Sequence, residues 1–130
     1  MPDWQASYAE AALRCFQDGN TLYGQQRYPN ASHLFGLAAE CALKVLLSNL
    51  PGVDEAPHTH LPQLRDDVLR MLSRRSNNGV RQLVGKSNYM DQWDIANRYW
   101  PAEAFGKTSC EIHRNHSRRT LYATGVWSTL

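Results

Sequence analysis

The chain has 130 residues, of which 42% are hydrophobic, and a formal net charge of +2. This length and apolar content indicate one domain with one core, so we expect a single domain over residues 1–130. A positive charge this small does not by itself indicate nucleic-acid binding.

Cysteine usage and the N-terminus both bear on the compartment. Cys15, Cys41 and Cys110 cannot all pair within the chain, and two of them lie in apolar helical patterns. A thiol in such a pattern behaves as a small hydrophobic group, which indicates a reducing compartment. Residues 1–4 have no signal-peptide features, and no apolar run is long enough to span a bilayer. We therefore expect a cytoplasmic protein with no membrane partner.

The first two helices are predicted from apolar periodicity and their end signals. The first covers residues 3–24, with Asp3 as its N-cap and a weak point at Gly19. Tyr28 precedes proline and is expected to be extended, and Pro29 opens the second helix, which ends near Ser48.

The second helix carries two charges in an otherwise apolar run. Glu40 and Lys44 are four residues apart, the spacing that favours a Glu-then-Lys ion pair. Two interpretations stay open: a structural pair that fixes helix packing, or a polar site built into a helical bundle. The apolar stripe around them contains Ala31, Leu34, Phe35, Ala38, Cys41, Ala42, Val45 and Leu46.

Shorter helical patterns follow. Thr59 or His60 is expected to cap a third helix, with Pro62 in its first turn. Irregular helical stretches occupy residues 80–84 and 93–100. A capping box over residues 108–111 opens a last helix that continues to Leu130. No β-strand alternation is present, so the sequence predicts an all-α, up-and-down bundle of four or five helices.

In this arrangement the chain resembles HEPN domains, small helical bundles of prokaryotic toxin–antitoxin and defence systems. The resemblance covers about residues 8–99. The matching features are Arg27-Tyr28, Asn30-Ala31, Gly36, Ala38, Glu40, Leu43, Lys44, His60-Leu61, Leu64, Trp93 and Asn97-Arg98-Tyr99. The resemblance implies a homodimer, RNA as a ligand, and a nucleotidyltransferase-type antitoxin as a partner.

Many HEPN domains are metal-independent endoribonucleases that carry an Arg, a polar residue and, about four to six residues later, a His. Arg98 has no histidine at that spacing; the next one is His113. Arg27 and His33 fit the spacing but flank the start of the second helix, which is the wrong element. We therefore expect a module that binds RNA or a protein partner, and the alternative is an endoribonuclease with a rearranged site around Arg98.

The residues that would carry either function follow from the resemblance and from charge. Arg98 would bind phosphate, and His60, His113 or His116 would move protons. The dense basic run over residues 113–119 would contact phosphates, unless it is only a solvated helix face. The expected binding residues are Glu40, Lys44, Tyr99, Arg114 and Arg118.

No cofactor or metal is expected. Cys110, His113 and His116 resemble a metal-ligand cluster, but at i, i+3 and i+6 the third residue rotates away from the first two. Trp93, Tyr99 and Trp100 are interpreted as core or dimer contacts rather than surfaces on which bases stack.

Overall fold

The computed structural model describes residues 7–72 and 78–127, and in these ranges it is all-helical, with no strand. The α-helices are α1 (Tyr8–Gly24), α2 (Tyr28–Ser48), α3 (Gln63–Met71), α4 (Asn78–Val84) and α5 (Lys107–Ala123), with 3-10 helices over Ile95–Tyr99 and Ala102–Ala104. The prediction of an all-α bundle is confirmed.

Helix α2 lies at the centre of the fold and belongs to two core clusters. With α1 and α5 it forms a cluster of Ala12, Phe16, Ala31, Phe35, Ala38, Ala42, Cys110 and Leu121. The other cluster consists of Ala39, Leu43, Leu47, Leu61, Leu64, Val68, Leu72, Val80, Leu83, Val84, Tyr89, Met90 and Trp93. The predicted single stripe was therefore incomplete, because a helix packed on two sides buries more than one face.

The central position of α2 also bears on the membrane prediction. By length and composition alone, α2 is the one helix among the described residues that could cross a membrane. The expectation that no apolar run is long enough was therefore wrong. In this fold, 61% of the most apolar window of α2 is buried, as in the core helix of a globular protein.

Helix α1 is continuous through Gly19. Ser7 is its N-cap and accepts a hydrogen bond from the Glu10 amide, while the predicted cap, Asp3, lies outside the described residues. A Cβ atom built at Gly19 would be 2.8 Å from the Phe35 ring. This glycine therefore permits close packing of α1 on α2 rather than weakening α1.

Several predicted helix starts were wrong. Tyr28 is the first residue of α2 rather than an extended residue. Helix α3 begins after Pro62 without a side-chain cap. Helix α5 begins after Gly106, so residues 108–111 lie inside it and form no capping box. It ends at Ala123, and the predicted end at residue 130 lies outside the described residues.

The expected caps of α3 have other partners. Thr59 Oγ1 donates to Asp67 Oδ2 at 2.5 Å, and His60 contacts Glu40. Thr59 and His60, which were predicted as caps of α3, therefore bind other side chains instead.

The connection between α4 and α5 is held against α2 by Trp93. The Trp93 side chain is buried, and its Nε1 donates to the carbonyl oxygen of Ser32 at 2.9 Å. Gly36, one turn further along α2, lies directly against the same indole. This contact fixes the segment that contributes Asn88 and Asp91 to the site described next.

Candidate functional site

A cavity of about 350 Å³ opens between α5 and the segment that precedes Trp93. Four of the five positions that α5 contributes recur at i, i+3, i+4 and i+7 on one face of the helix, and Arg118, at i+6, lies at the edge of that face. Two neighbouring residues of the segment, Tyr89 and Met90, are buried and anchor it beside α5. The cavity is lined by Asn88, Asp91, Ile112, Asn115, His116, Arg118 and Arg119.

The imidazole of His116 is fixed in one tautomer by the backbone of the segment. Its Nδ1 accepts a hydrogen bond from the Met90 amide at 2.9 Å, so the neutral ring carries its proton on Nε2. Within residues 7–72 and 78–127 no hydrogen bond engages Nε2. Burial, and then the positive charge of Arg119, lower the pKa of His116 from its ordinary value of 6.5. His116, which lines the cavity, therefore keeps an Nε2–H donor that no described residue engages.

The cavity is rich in positive charge. Arg118 and Arg119 are both exposed at its edge, and Arg118 Nη2 donates to Asn115 Oδ1 at 3.3 Å. Arg119 also lines a second cavity, of about 230 Å³, together with Lys86. Guanidinium groups are suited to phosphate oxygens, because their donors form a planar fork.

A buried serine–histidine contact positions the segment. Ser32 Oγ donates to His113 Nδ1, and His113 Nε2 donates to the carbonyl oxygen of Asp91 at 2.7 Å. Burial lowers the pKa of His113, so the ring is neutral at pH 7. Both of its nitrogens are engaged and the side chain is only 2% exposed, which leaves it no role toward a ligand. The contribution of Ser32 was not foreseen, because its partner is 81 residues away.

The backbone around Asp91 has an unusual conformation. Met90 and Gln92, on either side of it, both have positive φ angles, of 47° and 64°. Residues other than glycine rarely adopt this left-handed region, and they persist there when surrounding contacts over-determine the backbone. The hydrogen bonds to His113 and His116 are such contacts, and they hold the backbone of Asp91, whose side chain lines the cavity.

Cys110, His113 and His116 lie on one helix but do not form a group of metal ligands. Among the described residues there is no group of three or more histidine, cysteine, aspartate or glutamate side chains that could hold a metal ion. The nitrogens of His113 are used in other contacts, and Cys110 is fully buried.

Glu40 contacts the start of α3 rather than Lys44. Its Oε1 accepts from the Leu61 amide and its Oε2 from His60 Nδ1, both at 2.9 Å. The carboxylate is 5% exposed, whereas the His60 side chain is 49% exposed. Lys44 lies with its Nζ 5.8 Å from the centre of the Tyr8 ring on α1. The predicted ion pair is thus not seen among the described residues, because the two side chains point to different neighbours.

The predicted catalytic residues do not meet. His60 contacts Glu40, His116 contacts Met90, and Arg98 is exposed with its guanidinium 4.7 Å from the centre of the Tyr99 ring. In the part of the chain that the structure describes, no hydrogen bond or ion pair joins Arg98 to Glu40. The charges of Arg98 and Glu40 both act on His33. Burial and then Arg98 lower the pKa of His33, while Glu40 raises it.

The predicted binding residues also separate. Arg118 lines the cavity, but Arg114 does not: its Nε donates to Asn20 Oδ1 at 2.7 Å and its guanidinium lies 5.0 Å from the Tyr23 ring centre. Arg114 therefore ties α5 to α1. Arg119, which was predicted only as part of the basic run, is the second cation of the cavity.

Comparisons with models of known protein families, with curated proteins and with solved structures find no match for this chain.

The position of Glu40 leads to a stability prediction. Replacement of Glu40 by alanine is expected to lower the free energy of unfolding by about 3 kcal/mol, because it leaves the buried Leu61 amide without an acceptor and opens a cavity. Chemical denaturation of the two proteins would measure this change. The exposed Glu103, changed to alanine as a control, should alter stability by less than about 0.5 kcal/mol. An equally small effect at Glu40 would show that its contacts are not stabilising.

Proposed function

We propose that this chain is a HEPN-like helical module that binds RNA through the cavity on α5. The observation that carries the proposal is that Arg118, Arg119 and His116 line one cavity, while the Nε2–H group of His116 is engaged by no described residue. The sequence resemblance supports a toxin–antitoxin or defence context, with a nucleotidyltransferase-type protein as the partner. The all-α fold is consistent with that resemblance.

The arrangement of positive charge supports a nucleic-acid strand as the ligand. Arg119 contributes to both neighbouring cavities, and Lys86 extends the positive charge into the second one. Phosphates repeat along a nucleic acid, so a row of cations can neutralise several of them and release their counterions. Binding should therefore weaken steeply with added salt.

The chemistry of His116 favours binding over cleavage. Attack by a 2′-hydroxyl needs a base with a free lone pair beside the phosphate. Nε2 of His116 already carries a proton, and the lone pair of Nδ1 is directed at the Met90 amide. In this tautomer the ring can donate a hydrogen bond to a phosphate oxygen but cannot accept the hydroxyl proton.

A second candidate function, a metal-independent endoribonuclease with a site around Arg98, is favoured by the geometry of His60. Its Nδ1 faces the Glu40 carboxylate, and this leaves a lone pair on Nε2 in a side chain that is half exposed. A histidine oriented by a carboxylate is the arrangement that a general base requires. His60 is thus the histidine whose contacts suit proton transfer, and Arg98, which does not contact His60, would supply the cation from the other side of a bound phosphate.

Incubation with single-stranded and structured RNA in EDTA separates the two functions. We expect a shift of the RNA into a complex, with no new fragments. If the protein cleaves RNA, and both Arg98→Ala and His60→Ala abolish the cleavage, the enzymatic function would be supported in place of the binding function. The absence of both a complex and fragments would contradict the proposal that RNA is the ligand.

We also propose that the module forms a homodimer through the segment after Trp93. Tyr99 is 76% exposed and Trp100 is 47% exposed, and both are large aromatic groups that commonly anchor interfaces. Light scattering coupled to gel filtration should give twice the chain mass at micromolar concentration. A single-chain mass at high micromolar concentration would contradict the dimer.

A further inference from the structure

The cavity on α5 contains a carboxylate as well as its cations. Asp91 is exposed at the cavity edge, and among residues 7–72 and 78–127 its side chain forms no ion pair with Arg118 or Arg119. Its backbone is held by two hydrogen bonds. The Asp91 carbonyl oxygen accepts one from His113 Nε2, and the Asp91 amide donates the other to the Asn88 carbonyl oxygen at 3.2 Å. The backbone that carries the Asp91 carboxylate is therefore held, and no described residue occupies the carboxylate oxygens, which are available to a ligand.

A site for a bare anion would be weakened by this carboxylate, because like charges repel at close range. The same carboxylate suits a ligand that carries hydrogen-bond donors next to its negative charge. Asn88 and Asn115 add amide groups that both donate and accept, and Ile112, which is 41% exposed, adds an apolar surface. A nucleoside phosphate has each of these parts: an anionic group, hydroxyl and amino donors, and the flat face of a base.

We propose that the cavity holds one nucleoside phosphate, with its phosphate at Arg118, Arg119 and His116 Nε2 and with a nucleoside donor on the Asp91 carboxylate. This inference rests on the proposed function and refines it, since it makes the cavity a nucleotide site rather than a general polyanion surface. The cavity volume of about 350 Å³ falls in the range of small-ligand pockets.

The test compares Asp91→Ala with the wild-type protein on an RNA hexamer and on inorganic polyphosphate, with fluorescence anisotropy as the readout. Loss of a hydrogen bond to a charged acceptor should weaken hexamer binding about 10-fold. Polyphosphate binding should become stronger, because a repulsive charge has been removed. Asp18→Ala, an exposed position on α1, removes the same charge outside the cavity and should show no such opposite changes.

Stronger binding of both ligands by Asp91→Ala would overturn the inference, since Asp91 would then only repel anions, and so would unchanged binding of both. A DNA hexamer of the same sequence identifies the donor. If the 2′-hydroxyl donates, the wild-type preference for RNA disappears in Asp91→Ala; if a base amino group donates, both hexamers lose affinity together.

Adenosine monophosphate separates this inference from the proposed function. The wild-type protein could bind adenosine monophosphate, more weakly in Asp91→Ala, and yet bind neither hexamer. That result would support the nucleotide site and contradict RNA binding. Hexamer binding that depends on Arg118 and Arg119 but not on Asp91 would retain RNA binding and overturn the nucleotide site.

Discussion

Replacement of Gly36 by alanine is expected to cost at least about 3 kcal/mol of stability, which lowers the ratio of folded to unfolded protein by about 100-fold or more. A Cβ atom at this position would lie 1.8 Å from Trp93 Cε2 and 2.0 Å from Trp93 Nε1. The indole has little freedom to move, because it is buried and its Nε1 is bonded to Ser32. The steric clash between the new Cβ atom and the indole could be relieved only if the whole segment around Trp93 shifted away from α2.

Circular dichroism with thermal and chemical denaturation would measure the effect. Gly24→Ala is the matched control, because a Cβ atom there has nothing within 4 Å. In α1 that substitution should be neutral or stabilise the helix by up to about 1 kcal/mol. A Gly36→Ala protein as stable as the wild type would mean that Trp93 is not packed against α2 as described.

The double substitution Arg118→Ala/Arg119→Ala is expected to weaken RNA binding about 100-fold at low salt. Each guanidinium would lose charge-assisted bonds to phosphate, a loss of about 10-fold for each arginine. The salt dependence of the affinity should also become shallower, by about one phosphate contact per arginine. Stability should change little, because both side chains are exposed.

The control for this variant is Arg14→Ala/Arg27→Ala, which changes the net charge equally at exposed positions that do not line the cavity. We expect it to lower the affinity less than about 3-fold through general electrostatics. If the two double variants were equally impaired, the binding would depend on net charge and not on the cavity.

The helices could be predicted from the sequence, but the faces they bury could not. Apolar periodicity is a local property, and it located α2 nearly to the residue. Which faces of α2 are covered depends on how α1, α3 and α5 pack around it. Contacts outside the local pattern also explain why the predicted start of α3 was wrong. His60 and Thr59 bind Glu40 and Asp67 instead of capping α3.

The candidate site was predictable only where it lies on a helix. The basic run over residues 113–119 stands out in the sequence, and it supplies Arg118, Arg119 and His116. Asn88 and Asp91 come from an irregular segment whose position depends on two buried histidine contacts. No local pattern reveals such contacts, so the acidic part of the cavity was not anticipated.

The most direct test of RNA binding at the α5 cavity is a nuclear magnetic resonance titration of the ¹⁵N-labelled protein with a short single-stranded RNA. We expect the largest amide shifts at residues 88–91 and 112–119, and saturation in Arg118→Ala/Arg119→Ala only at far higher RNA concentrations. Shifts confined to residues near His60 and Arg98, or shifts that the double substitution leaves unchanged, would contradict binding at this cavity.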